Sequence, residues 1–291
     1  MIKISVIVPI HRIDRIDEIL LSYVNQDADP NSYEVVVIAT NPRTMNVVTS
    51  KVMDIENKHA QHFNCIQLPG SSNCRSRNAG VESAQNEIML FVDGDQVICS
   101  HLVRVHRRNL QRGEIGVGIT NIDVRVDTKH MLSVRIPAFR GHTGSIAWLP
   151  IGNVSVSQFT EMLNLTQATG FANFTNRNFL RDYVNVVTRN CSIYRSDFYD
   201  IGGFDIDLEY SETSPSRGWE DTDYGIRAYE KGMKFRLIPG WTVHPIHPIV
   251  VKDDGLANVI KLLKKHPWFL KERPEWFVGK YDISMIRRLL V

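Results

Sequence analysis

Ile88-Met89-Leu90-Phe91-Val92-Asp93-Gly94-Asp95 runs five apolar residues straight into two carboxylates set one residue apart. A short continuous apolar run is the pattern of a parallel strand buried on both faces. The carboxylates then fall at that strand's carboxyl end. The same pattern recurs upstream. Val35-Val36-Val37-Ile38 is another continuous run, Phe63 to Leu68 a further strand, and Ile2, Ile4, Val6 and Val8 alternate on one face of an opening strand. Between them, Ile13, Ile16, Leu20, Tyr23 and Val24 follow helical spacing, and a second helix is predicted near Ser76–Gln85. Strands alternating with helices at this spacing predict a parallel, right-handed, doubly wound α/β sheet. Ligands of such sheets bind beyond the carboxyl ends of the strands. Those ends are Pro9-Ile10-His11, Ala39-Thr40-Asn41, Pro69-Gly70-Ser71 and Asp93-Gly94-Asp95, and the last has the unusual charge pattern.

Downstream, Thr120 to about Val186 is rich in aromatics and glycine and reads as an inserted or connecting segment, a candidate pocket wall or ordinary core. Thr188–Arg195 is a predicted strand, Ile201-Gly202-Gly203-Phe204 a tight turn, and Trp219–Lys231 a helix with an acidic first turn and Gly232 as its stop. Phe235–Ile238 is a further strand, followed by a histidine-bearing loop from Trp241 to His247. The tail, Leu256–Val291, is predicted helical and broken at Pro267 and Pro274.

The bulk numbers exclude several classes. With 291 residues and 43% hydrophobic content the chain can bury a sizeable core. A net charge of +2 gives no nucleic-acid footprint. Four scattered cysteines, without CxxC spacing, read as free thiols in a reducing compartment. No run approaches the ~18 apolar residues of a membrane span, which argues against a processive, polymer-extruding synthase. The opening residues are too short for a secretory leader, so the sequons at Asn153, Asn164 and Asn173 read as chance matches and the expected location is cytoplasmic. Interleaved basic and aromatic tail residues (Lys261, Lys264, Lys265, Trp268, Phe269, Trp276, Phe277, Arg287, Arg288) leave two options. The tail lies peripherally on the inner face of an anionic membrane, or it packs its apolar side over the catalytic domain or a second copy in a homodimer.

Four constellations carry chemistry. Asp93 and Asp95 offer two oxygen ligands to a hard cation, Mg²⁺ or Mn²⁺, and Gly94 leaves room for a diphosphate to approach the backbone. Glu220 and Asp221, in Gly218-Trp219-Glu220-Asp221-Thr222-Asp223, are either first-turn capping acids or a hydroxyl-activating base and its partner. His244 and His247, in His244-Pro245-Ile246-His247-Pro248, are metal-ligand candidates or structural histidines. Arg75-Ser76-Arg77-Asn78, opening a helix, is a phosphate site or a basic surface turn.

In this order the features resemble the family-2 glycosyltransferases of the GT-A fold. The C-terminal motifs are similar to the β-1,4-galactosyltransferase and polypeptide N-acetylgalactosaminyltransferase groups. The matching stretches are Ile4–Pro9, Arg77-Asn78-Ala79-Gly80, Phe91–Asp95, Asn190–Arg195 with Gly202–Asp205, Gly218–Asp223 with Arg227, and Val243-His244. The resemblance implies a GT-A nucleotide-diphospho-sugar transferase fold, a mostly parallel sheet flanked by helices. It implies residues 1–115 as the nucleotide-sugar half, 116–250 as the acceptor and catalytic half of the same domain, and 251–291 as a helical extension. It also implies Mn²⁺ or Mg²⁺ on Asp95 and Asp93, with His244 as the late ligand and His247 as the alternative. By the same resemblance, Pro9, His11, Arg77, Asp93, Gly94 and Asp95 are expected to line the nucleotide-sugar pocket. Asp221 is expected to be the general base of an inverting transfer, with Glu220 assisting the acceptor. The implied donor is a nucleoside-diphosphate sugar, UDP-linked first, and the implied acceptor a glycan, a lipid-linked sugar or a small molecule.

Two stretches depart from the family. The second strand ends Ala39-Thr40-Asn41 where the family has an acidic residue for the base, and Arg217-Gly218-Trp219-Glu220-Asp221 replaces the galactosyltransferase-like WGGED. The alternatives are a sugar nucleotidyltransferase, disfavoured because Pro9-Ile10-His11-Arg12 has no glycine-rich loop, and a non-catalytic nucleotide-sugar-binding module.

Overall fold

The computed structural model describes residues 2–126, 131–135, 146–150, 188–208, 218–245, 255–274, 277 and 281–290. The strands are β1 (Ile4–Ile10), β2 (Tyr33–Ala39), β3 (Phe63–Gln67), β4 (Ile88–Phe91), β5 (Val97–Ile98), β6 (Glu114–Val126), β7 (Met131–Arg135), β8 (Ile146–Pro150), β9 (Cys191–Tyr194) and β10 (Lys234–Pro245). Helices α1 (Ile16–Val24), α2 (Met45–Lys58), α3 (Asn73–Ser83) and α4 (Leu102–Asn109) belong to the first half. The helices Arg195–Ile201 and Glu220–Glu230 belong to the second, and Leu256–Lys265, Pro267–Glu272 and Ile283–Leu289 form the tail.

One sheet runs β3-β2-β1-β4-β9-β6-β10-β5, with β7 and β8 extending from β6. The strands β3-β2-β1-β4 are mutually parallel. Then β9 enters antiparallel between β4 and β6, and β10 runs parallel to β6. Burial explains the continuous apolar runs, because β1, β2 and β4 are buried at every position. Ile4, Val6 and Val8 face a layer formed by α1, α2 and α4, while Ile7, Val36 and Ile38 face α3 and the helices Arg195–Ile201 and Glu220–Glu230. Gly80 lets α3 lie close on the sheet: a Cβ there would come within 2.5 Å of Ile7 Cγ2.

The structure corrects several sequence expectations. Ile2 precedes β1 and is exposed, and Ile13 is exposed ahead of α1. Trp241 to Pro245, read as part of a histidine-bearing loop, is the second half of β10, whose register shifts between Leu237 and Val243 rather than breaking. The helix Arg195–Ile201 was not predicted; Gly202 (φ 95°) and Gly203 (φ 68°) end it in the left-handed region, so the predicted turn is its C-cap. Much of the 120–186 segment, including the three sequons, lies outside the described residues, as does His247. The four cysteines are free thiols. Among the described residues no helix is long and apolar enough to cross a membrane. The tail turns Val259, Leu262, Leu263, Phe269, Phe277 and Ile286 inward against Leu208 and Ile226, so its apolar side packs on the domain.

Candidate active site

Past β4, Asp93-Gly94-Asp95 turns back on itself, with Gln96 N–H donating to the Asp93 carbonyl at 3.2 Å. Gly94 is required here by a neighbouring strand: its missing Cβ would lie 2.2 Å from the Pro9 carbonyl oxygen and 2.9 Å from Ile10 Cα. The room expected for a diphosphate is therefore not on that side. The glycine instead locks the turn onto the end of β1, which fixes where Asp93 and Asp95 sit.

Arg77 on α3 is 3% exposed, yet it is a cation among carboxylates. Its Nη2 donates to Asp93 Oδ1 at 2.8 Å, and its Nη1 lies 3.9 Å from Glu220 Oε1. Burial works against its charge, but Asp93, Asp221 and Glu220 outweigh it and hold the guanidinium protonated. Its Cζ sits 5.6 Å from the Phe204 ring centroid. Asn78, the next residue, is a clamp: its amide donates to the Phe204 carbonyl at 2.8 Å and accepts the Phe204 N–H at 2.9 Å. Within Arg75-Ser76-Arg77-Asn78 it is Arg77 that meets Asp93 and Glu220. Arg75 is exposed and Ser76 donates back to the Ser72 carbonyl.

Glu220 and Asp221 open their helix after two left-handed residues, Gly218 (φ 81°) and Trp219 (φ 78°). Being adjacent, they diverge. Glu220 faces Arg77, while Asp221 Oδ2 accepts the Thr188 N–H at 3.3 Å. Asp221 Oδ1 is buried and has no hydrogen-bond partner among the described residues. Burial and then the neighbouring Asp221 push the Glu220 carboxyl up to about 7, against the pull of Arg77. Burial likewise raises Asp221, opposed by Arg77 and by the bond from Thr188. The two acids thus share a site that resists carrying two negative charges. Asp223 faces the other way, accepting from Arg227 Nε at 2.7 Å and meeting His266 Nε2 at 3.0 Å.

Two site residues escaped the sequence reading. Arg189 Nε lies 3.5 Å from Asp93 Oδ2, and Thr188 holds Asp221. Both sit just ahead of the Asn190–Arg195 motif, which was the only available signal. The motif itself is structural. Asn190 and Ser192 grip the buried His106 ring at 2.8 and 2.7 Å, and burial drives that imidazole down to about 3.

At the neighbouring strand ends, the His11 ring bonds Thr40 Oγ1 and, at 2.9 Å, Asn73 Oδ1, while Asn41 donates to the His11 carbonyl at 3.0 Å. The Thr40-Asn41 pair that departs from the family pattern is thus spent on holding His11. His244 lies on β10. Val243 pairs with Val97, so His244 is one residue further along the register toward Gln96 and the Asp93–Asp95 turn. Among the described residues no group of three His, Cys, Asp or Glu forms a ready metal cluster. The carboxylates of Asp93 and Asp95 still suit a hard divalent cation that keeps water and takes its remaining ligands from a diphosphate.

The model of the Glycosyltransferase like family 2 matches residues 3–253. The chain belongs to this family. No curated protein matches it significantly in sequence. Among solved structures, GalNAc-T7 with UDP, GalNAc and Mn²⁺ aligns at TM-score 0.59 and 13% identity, covering 99% of this chain and 53% of that one. TarS of S. aureus aligns at 0.54 and 15%, covering 99% and 42%. The mannosyltransferase PcManGT from Pyrobaculum calidifontis, with GDP-Man and Mn²⁺, aligns at 0.53 and 15%, covering 99% and 68%. The fold of this family-2 chain is therefore the GT-A fold, and the chain spans about half the length of GalNAc-T7 and less of TarS.

Proposed function

We propose that the chain transfers a sugar from a nucleoside-diphosphate sugar to an acceptor hydroxyl, with inversion and with Asp221 as general base. The observation that carries this reading is the meeting of three elements: the turn after β4, the first turns of α3, and the start of the acidic helix, around one buried arginine. The ligands of structural neighbours support the donor class. TarS was solved with UDP-GlcNAc, GalNAc-T7 with UDP and PcManGT with GDP-Man. We take UDP as the first base to test, although Thr40 and Asn41 occupy the place of the family's acidic base contact.

Asp95 and Asp93 would hold Mn²⁺ or Mg²⁺, with His244 as a further ligand and His247 as its alternative. The bound cation would offset charge on the leaving diphosphate. Arg77 and Arg189 face the same carboxylate and place positive charge beside the leaving group, the type of fixed electrostatics that dominates such catalysis. Asp221 has one oxygen held by Thr188 and the other, Oδ1, buried without a hydrogen-bond partner among the described residues; Oδ1 is the atom that would take the acceptor's proton. Its raised proton affinity makes it a stronger base once it is ionised. Glu220 keeps the pair from losing both protons at once and, from its place beside Arg77, assists the acceptor. Pro9, His11 and Gly94 shape the nucleotide side. The acceptor is a glycan, a lipid-linked sugar or a small molecule.

The test is a panel of UDP-, GDP- and dTDP-sugars with Mn²⁺, Mg²⁺ or EDTA, reading thermal stabilisation and released nucleoside diphosphate. One donor that stabilises the protein and is cleaved only with metal supports the reading. Stabilisation by a donor without cleavage, with acceptors of all three classes present, would replace it with a non-catalytic binding module.

A further inference from the structure

Only two non-glycine residues among those described have positive φ, Arg15 and Trp219. For a bulky side chain this conformation is strained and persists only where its surroundings impose it. Trp219 immediately precedes Glu220 and Asp221, and its carbonyl accepts the Asp223 N–H at 2.8 Å, the first bond of their helix. The tail packs against Trp219 and its neighbours. Phe277, fully buried, stacks on the Trp219 ring at 5.5 Å with 8° between planes, and is itself braced edge-on by Phe269 at 5.6 Å. Asn258, also buried, donates to the Gly218 carbonyl at 3.1 Å and to the Leu208 carbonyl at 2.9 Å. His266 meets Asp223 from behind at 3.0 Å. All of these tail residues lie beyond residue 253, where the family match ends.

We propose that the tail, residues 255–290, is part of the transfer apparatus of this chain. Phe277 and Asn258 are positioning residues that hold Gly218-Trp219 left-handed and so aim Glu220 and Asp221. The inference rests on the proposed function for its kinetic consequence, but its structural half stands apart. Removing the flat ring leaves Trp219 free to relax, and the helix start moves with it. A reactive group displaced by about 1 Å costs about 10²-fold in rate. Donor binding, built on β1, β4 and α3, stays in place.

The test uses the full chain with Phe277→Leu, which keeps most of the buried volume, Phe277→Tyr, which keeps the aromatic face, and Asn258→Ala. Phe277→Leu and Asn258→Ala are expected to lower kcat by about 10- to 10²-fold with donor KM little changed, and Phe277→Tyr to retain wild-type kcat. Hydrogen exchange is expected to accelerate at amides 220–224 in Phe277→Leu and to stay unchanged in β1 and β2, which checks the fold. Wild-type kcat in Phe277→Leu, or unchanged exchange at 220–224, would overturn the proposal. If the wild type cleaves no donor, the proposed function fails instead, and the exchange result alone decides this inference.

Discussion

Replacing Glu220 by glutamine is expected to stabilise the protein above neutral pH and to leave it unchanged in acid. Burial, reinforced by Asp221, raises this carboxyl from the usual 4.5 to about 7, even with Arg77 pulling the other way. A raised carboxyl binds its proton more tightly in the folded chain than in the unfolded one. Its contribution is therefore fully present below pH 4.5 and is lost as pH rises through about 7. That gap corresponds to about 3 kcal/mol, and the side chain is only 16% exposed, so solvent screening removes little of it. Glutamine keeps the shape and cannot ionise. At about 1.5–2 °C per kcal/mol for a chain of this length the variant melts about 4–6 °C above the wild type at pH 8. Thermal unfolding followed by circular dichroism, without divalent metal, at pH 4.5, 6 and 8 reads the difference. Equal melting temperatures at pH 8, or a variant less stable there, would refute the argument that the acid pair is held against its own charge.

Three further outcomes follow from the site. Gly94→Ala puts a Cβ 2.2 Å from the Pro9 carbonyl, so it costs about 1–3 kcal/mol in urea unfolding and weakens Mn²⁺-dependent donor binding. Arg77→Met strips the buried countercharge from Asp93 and Glu220 and costs about 3–5 kcal/mol. Arg77→Lys recovers little of that, because one ammonium cannot span two carboxylates; both variants are read by denaturant melts. Arg189→Gln, on a side chain 39% exposed, leaves stability unchanged and weakens donor binding by roughly 10-fold at low salt, measured by titration calorimetry.

What the sequence could carry was local pattern. Val35–Ile38 and Ile88–Val92 announce strands buried on both faces because nothing polar interrupts them, and β2 and β4 are such strands. Asp93-Gly94-Asp95 is visible because the charge change is abrupt, yet the reason for its glycine is a strand more than 80 residues earlier in the chain. Pro245 and Pro248 suggested a loop around His244, whereas β10 continues because its neighbours β6 and β5 pair with it. The helix Arg195–Ile201 is too short to show a periodic pattern. Asp223 carries the same chemistry as Asp221 but sits two positions on, so it turns to the opposite side and binds His266. Arg189 and Phe277 become meaningful only through contacts with residues far away in sequence, with Asp93 and with Trp219.

The most direct test of glycosyl transfer by this site compares wild type with Asp221→Asn on the donor that the wild type cleaves, with Mn²⁺ present and then removed by EDTA. The account predicts metal-dependent release of nucleoside diphosphate by the wild type. It predicts the same donor affinity in Asp221→Asn, with turnover lower by about 10²–10⁴-fold, the range for a positioned base. Near-normal turnover by Asp221→Asn, or equal wild-type turnover in EDTA, would contradict it.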